Sequence, residues 1–182
     1  MEKIYSEGDI MNGNFLDLCR ERYSVRAFSE KKVEEEKISA ILSAGQAAPT
    51  ACDFQPIKIY VIKSEQALEK LQKCMRFRFG QTLAFIVCYD RDKCWVREYD
   101  GRASGEVDAS ITATHMMLEA WEQGIGSTWI MHFIPEAVCC EFSLPENIVP
   151  VCVLAMGYPG ENAVPSQKHG VRKSIEELAT VE

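Results

Sequence analysis

The 182-residue sequence lacks the long apolar runs of a membrane protein. It has no run of about eighteen apolar residues, the length that a membrane span needs, and residues 1–7 do not form the apolar stretch of a signal peptide. Acidic residues outnumber basic ones by 27 to 20, so the formal net charge is −7. Nucleic acids and anionic membranes attract basic surfaces, so this charge balance argues against both partners. We therefore expect a cytoplasmic protein with no membrane or nucleic-acid partner.

The motifs of several common sites are also missing. Neither GxGxxG nor GxxxxGK[ST] occurs, which argues against the commonest nucleotide-binding folds. The eight cysteines form no CxxC pair and the three histidines are scattered, so no metal site is predicted. Cys88 and Cys152 lie in strand-like runs, where a free cysteine behaves as a small buried hydrophobe. No Ser/His/Asp or Cys/His arrangement stands out, and we predict no catalytic residue of that kind.

Length and composition predict a single domain over residues 1–182. A chain that is 47% hydrophobic and 26% charged has the composition of an ordinary globular protein and can bury a sizeable core. Its periodicity predicts about four strands and six helices without regular βαβ repetition. The predicted helices cover residues 15–22, 33–45, 64–75, 104–123, 135–142 and a last short segment after 174; the strands cover 57–63, 82–89, 127–131 and 149–156. Candidate N-caps are Ser29, Ser64 and Ser174.

Residues 104–123 form the clearest predicted helix. Val107, Ile111 and Leu118 lie along one face, and the small residues Ala109 and Ala113 lie on the other. A helix that is apolar on more than one side is usually central or at an interface. The sequence therefore predicts that this helix packs on both sides.

The segment from Arg22 to Arg26 places two guanidiniums on either side of the Ser24 hydroxyl, at the end of the first predicted helix. Arg is well suited to binding a phosphate through two parallel hydrogen bonds, which favours an anion site. The alternative is a solvated basic cluster at a helix C-terminus, which the helix dipole favours. The segment alone does not decide between them.

The segment from Arg76 to Phe79 alternates cations with aromatic rings. On a basic protein this pattern would suggest nucleic-acid binding. On an acidic chain a role at a strand edge or an interface is favoured.

Four stretches resemble, in their order and spacing, the nitroreductase family of FMN-dependent oxidoreductases. They are residues 22–26, 48–56, 124–130, and 157–159 followed by Arg172 and Lys173. Each stretch alone is common, but the resemblance spans almost the whole chain. It implies an α+β fold with a central, mainly antiparallel sheet flanked by helices. It also implies an intertwined homodimer with one FMN at each of two subunit interfaces.

The resemblance implies three groups of cofactor-binding residues. The first group, which contacts the phosphate and ribityl chain, comprises Arg22, Tyr23, Ser24, Arg26, Lys168 and Arg172. The second, supplied by a partner subunit, comprises Pro49, Thr50, Ala51 and Asp53. The third, along the flavin ring, comprises Trp129, Ile130, Met131 and His132, with Gln81 and Arg78 as further candidates. A backbone N–H, that of Met131, is expected to meet the flavin N5.

Alternatives remain open for some of these residues. Position 53 is often Asn in the family, and a carboxylate there would oppose negative charge on the flavin ring; alternatively, Asp53 caps its own loop through the backbone. The alternative for Trp129 and Met131 is core packing. His132 is either a contact on the substrate side of the ring or a surface residue.

The function that the resemblance implies is electron transfer from NADH or NADPH, through FMN, to a nitroaromatic, a quinone or a similar small acceptor. In that scheme the flavin supplies the redox chemistry. One alternative is a specialised flavin dehydrogenase or dehalogenase of the same fold. Another is a flavin-binding store or sensor with little turnover.

Overall fold

The apolar runs of the sequence form a four-stranded sheet in a computed structural model that describes residues 15–182. The strands are β1 (Ile57–Ile62), β2 (Leu83–Asp90), β3 (Gly126–Ile130) and β4 (Ile148–Gly157). Their spatial order is β1-β2-β4-β3, and every neighbouring pair is antiparallel. Because β2 and β4 are central and covered on both faces, they are continuous apolar runs rather than alternating patterns.

The register of β2 against β4 shifts between Val87 and Cys88, where Val87 pairs with Cys152 and Cys88 pairs with Pro150. Val151 is therefore the extra residue of a β-bulge. Proline has no N–H to donate to a ladder, so a bulge is where a central strand can accommodate it.

Helices cover both faces of the sheet. They are α1 (Phe15–Glu21), α2 (Glu35–Gln46), α3 (Glu65–Lys73), α4 (Gly105–Glu122), α5 (Pro135–Glu141) and α6 (Ile175–Leu178), with a 3₁₀ turn at Ala51–Asp53. On one face, Ile41 of α2 and Met116 of α4 share a core with Phe85 of β2. On the other, Leu71 of α3 and Val138 of α5 share a core with Ile86 of β2. The result is a three-layer α+β fold with the sheet in the middle, as predicted.

Helix α4 is the central element of its layer. Ala109, Ala113 and Ala120 are fully buried, and α4 contacts α2, α1 and all four strands. Its other side is open: Val107 is 49% exposed, and a shallow groove of about 480 Å³ runs along Val107, Ile111 and Thr114. The helix therefore buries one face within the chain, and the described residues leave an apolar strip on its other face uncovered.

Two of the three predicted caps are confirmed. Ser64 Oγ accepts a hydrogen bond from the Ala67 N–H, and Ser174 forms a capping box with Glu177. The prediction for Ser29 is wrong, because α2 begins at Glu35 with Glu34 as its N-cap. The Ser29 N–H donates instead to Tyr158 O at 2.9 Å, which holds this residue in an extended segment against the end of β4.

Helices α2 to α5 pack on this one sheet and α1 contacts α4, whereas the residues of α6 are exposed. The predicted domain of residues 1–182 includes residues 1–14, which lie outside the described part, so that boundary stays a prediction. Among residues 15–182, no helix is long and apolar enough to span a bilayer.

Candidate flavin site

The Arg22–Arg26 segment lies along the free edge of β3. Ser24 forms a parallel bridge with Ser127, and the Val25 N–H donates to Ser127 O at 2.9 Å. A Cβ on Gly126 would lie 2.6 Å from Val25 Cγ2, so glycine is what allows this close approach. Val25 is fully buried, and in an extended segment its neighbours Ser24 and Arg26 point the opposite way.

The C-terminal segment packs against the same region. The Tyr23 hydroxyl donates to Ala163 O at 3.2 Å, and the Tyr23 ring meets the ring of His169 edge-on with centroids 6.1 Å apart. His169 Nε2 is 2.9 Å from Arg20 O. Arg172 donates to the backbone oxygens of His169 and Val171. These contacts bring the first and last functional motifs together across about 150 positions of sequence.

Arg22 and Arg172 lie close enough for their charges to interact. Burial lowers the pKa of the Arg22 guanidinium; the nearby Cys19 raises it, and the charge of Arg172 lowers it further. Neither arginine forms an ion pair with a carboxylate within residues 15–182. A half-buried cation beside a second cation is unfavourable without an anion, so this pair of arginines is suited to an anionic ligand such as a phosphate. The Arg26 guanidinium donates to Ser24 O at 3.2 Å, so it lies beside the same segment.

The Pro49–Gln55 loop has an unusual backbone. Cys52, Asp53 and Gln55 have φ values of 50°, 55° and 50°, a left-handed conformation that costs free energy in residues other than glycine. Two side-chain contacts hold it: the Gln55 N–H donates to Thr50 Oγ1 at 3.0 Å, and Gln55 Nε2 donates to Asp53 Oδ1 at 2.9 Å. The Asp53 carboxylate thus bonds a neighbouring side chain.

A buried carboxylate of α4 fixes this loop. The Ala51 N–H donates to Asp108 Oδ1 at 2.9 Å, and the Ser104 hydroxyl donates to Asp108 Oδ2 at 2.7 Å. Asp108 is only 1% exposed. Asp108 was not predicted as a site residue, although the sequence contains a signal for it, an acidic residue among the apolar positions of α4 and four positions after a serine.

Asp108 also lines a cleft of about 520 Å³ between this loop and the segment before α4. The cleft is lined by Pro49, Thr50 and Ala51 from the loop and by Trp95 and Arg102 from the segment, among others. Trp95 and Arg102 were not predicted as site residues.

The two predicted groups lie at opposite ends of α4. The loop is tied to Asp108, whereas the ring of Tyr23 meets the ring of Trp121 with centroids 5.3 Å apart. Thirteen residues separate Asp108 from Trp121, which corresponds to about 20 Å at 1.5 Å per residue. Within one subunit, the phosphate-side arginines and the Pro49–Gln55 loop are therefore far apart.

The end of β3 supplies the third predicted group. Trp129 packs against the α4 side of the core, whereas Ile130 is 4% exposed and packs on the opposite side. Only backbone atoms of Ile130 are therefore available to a ligand. Met131 is 69% exposed, and the His132 ring meets the Phe77 ring edge-on at 5.4 Å. Core packing, the alternative interpretation, thus applies to Trp129 and not to Met131.

The remaining predicted residues lie at the border of this region. Gln81 is partly exposed and Lys168 is exposed, and neither side chain has a hydrogen bond within the described chain. The Phe28 N–H donates to Phe79 O at 3.1 Å, which ties the loop before β2 to the Arg22 segment. No cluster of metal-ligating side chains occurs in residues 15–182.

The model of the nitroreductase family matches residues 19–77 and 73–158. The chain belongs to the nitroreductase family. A crystal structure of a nitroreductase family protein from Clostridium difficile 630 is 37% identical in sequence, with a TM-score of 0.88, and the match covers 93% of this chain and 99% of that one. This nitroreductase-family chain is also 33% identical over 153 residues to a relative from Archaeoglobus fulgidus that is provisionally named an NADH dehydrogenase/NAD(P)H nitroreductase. That match covers 79% of this chain and 84% of the relative.

A more distant structure has the same fold. It is an FMN-dependent nitroreductase from Clostridium difficile R20291, 24% identical with a TM-score of 0.70, and the match covers 87% of this chain and 98% of that one. At this identity the likeness supports the nitroreductase fold alone.

Proposed function

We propose that this nitroreductase-family chain is an FMN-dependent oxidoreductase that transfers electrons from NADH or NADPH to a small organic acceptor such as a nitroaromatic or a quinone. The observation that carries the proposal is the Arg22–Arg172 pair, two neighbouring cations that have no carboxylate partner among residues 15–182 of an otherwise acidic protein. The name of the Archaeoglobus fulgidus relative agrees with it, because it includes NAD(P)H nitroreductase.

The chain's own residues fit a bound FMN. Arg22, Arg26 and Arg172 would hold the phosphate, with Ser24 beside them on the extended segment. The exposed end of β3, at Met131 and His132, would meet the ring, with a backbone N–H directed at its N5. FMN supplies the redox chemistry when bound, so the chain needs to bind, orient and exclude water rather than provide a nucleophile.

We infer that the functional unit is a homodimer. The Pro49–Gln55 loop lies about 20 Å from the phosphate-side arginines along α4, so it is well placed to serve the flavin of a second subunit. The apolar strip of α4, which includes Val107 and Ile111, is not covered by any other part of residues 15–182. Covering such a strip with its equivalent in a second copy would bury both and bring the two half-sites together.

The flavin site is tested by replacing both Arg22 and Arg172 by Ala. Each charge-assisted contact contributes about 1.5–3 kcal/mol, so losing two should weaken FMN binding by at least about a hundredfold. Arg91→Ala is the matched control, because Arg91 is an exposed arginine paired with Glu146. The measurement is the ratio of flavin to protein after purification and the dissociation constant on reconstitution. A folded double variant with a full complement of flavin would reject the assignment.

Turnover is tested by adding NADH or NADPH to the flavin-loaded protein without air. Rapid bleaching of the flavin absorbance, followed by recovery on adding a quinone or nitroaromatic, is expected of the proposed oxidoreductase. Flavin that binds but is not bleached would favour a store or sensor instead.

The homodimer is tested by Val107→Asp, with Val61→Asp as the control. Both valines are exposed, but Val61 lies on β1 rather than on α4. We expect Val107→Asp to lower both the mass measured by light scattering and the flavin content, since a ligand bound across an interface stabilises the assembly. A monomer that retains FMN would contradict the shared site.

A further inference from the structure

The Arg76–Phe79 segment is held against the chain that follows β3. Met75 forms an antiparallel bridge with Phe133, and the Ile134 N–H donates to Cys74 O at 2.8 Å. Gln72 Nε2 donates to the backbone oxygens of Met75 and Phe77 at 3.3 and 2.9 Å. The segment is thus anchored beside residues 131–134 by its backbone, which leaves its cationic and aromatic side chains free to make other contacts.

A cleft of about 560 Å³ lies between the two segments. This volume is in the range of small-molecule sites. Its lining combines three kinds of side chain: the cations Lys73 and Arg76 with His132, the thioethers Met75 and Met131, and the apolar groups Phe133 and Ile134. At one wall the Phe77 ring meets the His132 ring edge-on and stacks on Phe79 with centroids 5.9 Å apart.

The positive charge of this cleft is not neutralised by the lining. No carboxylate lines it, and Lys73, Arg76 and Arg78 form no ion pair in the part of the chain that the structure describes. An acidic group near this cleft is Glu141 of α5, whose charge acts on the thiol of Cys74. Burial is the main cause of the raised pKa of that thiol, and the charge of Glu141 raises the pKa further. Cys74 is fully buried and also lines the cleft.

We propose that this cleft binds an aromatic anion, a planar ring that carries a carboxylate or sulfonate, as the electron acceptor. Arg76 and Lys73 attract the anionic group, and the Phe77–His132 wall and the exposed Met131 contact the ring. Guanidinium groups pair well with carboxylates and sulfonates, and both aromatic edges and thioethers pack favourably on a ring face. The inference rests on the proposed function, because the family resemblance places Met131 and His132 at the flavin ring.

The test compares two acceptors with the same ring system, naphthoquinone sulfonate and the neutral menadione. The assayed reaction is balanced as NAD(P)H + H⁺ + quinone giving NAD(P)⁺ and hydroquinone. In Arg76→Gln, kcat/KM for the sulfonate should fall by about tenfold or more, whereas kcat/KM for menadione should stay within about twofold. Arg91→Gln is the control, and it should change neither value.

A second measurement does not depend on turnover. Titration calorimetry of the flavin-loaded protein with naphthalene sulfonate, which has no quinone to reduce, should show binding that weakens about tenfold in Arg76→Gln and also weakens as salt is added.

If neither quinone is reduced but naphthalene sulfonate binds through Arg76, the anion site stands and the proposed oxidoreductase function falls. Both quinones could instead be reduced while Arg76→Gln lowers kcat/KM equally for the two, or changes kcat/KM for neither. Either result overturns the inference about the anion site, while the oxidoreductase function stands.

Discussion

Replacing Asp108 by Ala removes the carboxylate that joins the Pro49–Gln55 loop to the start of α4. Asp108 is buried and accepts two hydrogen bonds, from the Ala51 N–H at 2.9 Å and from the Ser104 hydroxyl at 2.7 Å. The loop that it holds contains three residues in the left-handed region, so its conformation depends on contacts such as this one.

The expected cost follows from the groups left without a partner. A buried donor that loses its acceptor costs about 1–3 kcal/mol, so two such donors predict a loss of about 2–6 kcal/mol of unfolding free energy in Asp108→Ala. Asp108→Asn keeps an oxygen for the Ala51 N–H and should cost less. Ser104→Ala removes only one of the two bonds, so about 1 kcal/mol is expected.

The assay is urea unfolding at one fixed protein concentration, because a dimer's apparent stability depends on concentration. Asp17→Ala is the control: Asp17 is an exposed acid whose ion pair with Arg20, at 3.5 Å, contributes little. Flavin affinity should fall in the same order as stability if the loop serves the flavin of a second subunit, as proposed above. If Asp108→Ala lies within about 0.5 kcal/mol of the wild type, or if Ser104→Ala costs as much, the two-bond account is refuted.

Three further predictions concern the loop, the core and the thiols. Asp53→Asn should raise the midpoint potential of bound flavin by about 30 mV or more, because a carboxylate opposes negative charge on a nearby ring; an unchanged or lower potential in a redox titration rejects this role. Gly105→Ala would place a Cβ 2.1 Å from the Tyr89 ring and should destabilise by about 1–3 kcal/mol, as a lowered Tm would report. Iodoacetamide at about pH 8 should modify the exposed Cys140 and spare Cys88, because burial raises the pKa of the Cys88 thiol to about 12 and only about one thiol in ten thousand is then ionised; labelling of native Cys88, read by mass spectrometry, would contradict this.

Much of the fold could be predicted from the sequence because its causes are local. Side-chain periodicity identified α4 and the central strands, and a serine followed by a helical pattern identified the caps at Ser64 and Ser174. Ser29 had the same local signal, yet it is not a cap. Its backbone is bound to Tyr158, 129 positions away, and no local pattern contains that contact.

In the candidate site too, some features could be predicted from local sequence and others depend on contacts between distant residues. Residue type and family resemblance together predict an anion site at the Arg22–Arg26 segment, and that assignment stays a prediction. That Arg172 lies near Arg22 depends on how the C-terminal segment packs. That the Arg76–Phe79 segment lines a cleft with His132 depends on the bridge between Met75 and Phe133.

The sequence by itself determined the elements, the caps at Ser64 and Ser174, the family and the residue types of the site, because propensity, periodicity and motif act over a few neighbouring residues. Only the tertiary structure decided which charges meet, that Asp108 holds the Pro49–Gln55 loop, and that this loop and the phosphate-side arginines lie at opposite ends of α4. Those outcomes come from contacts between residues far apart in the chain, whose pairing depends on how all the elements pack at once.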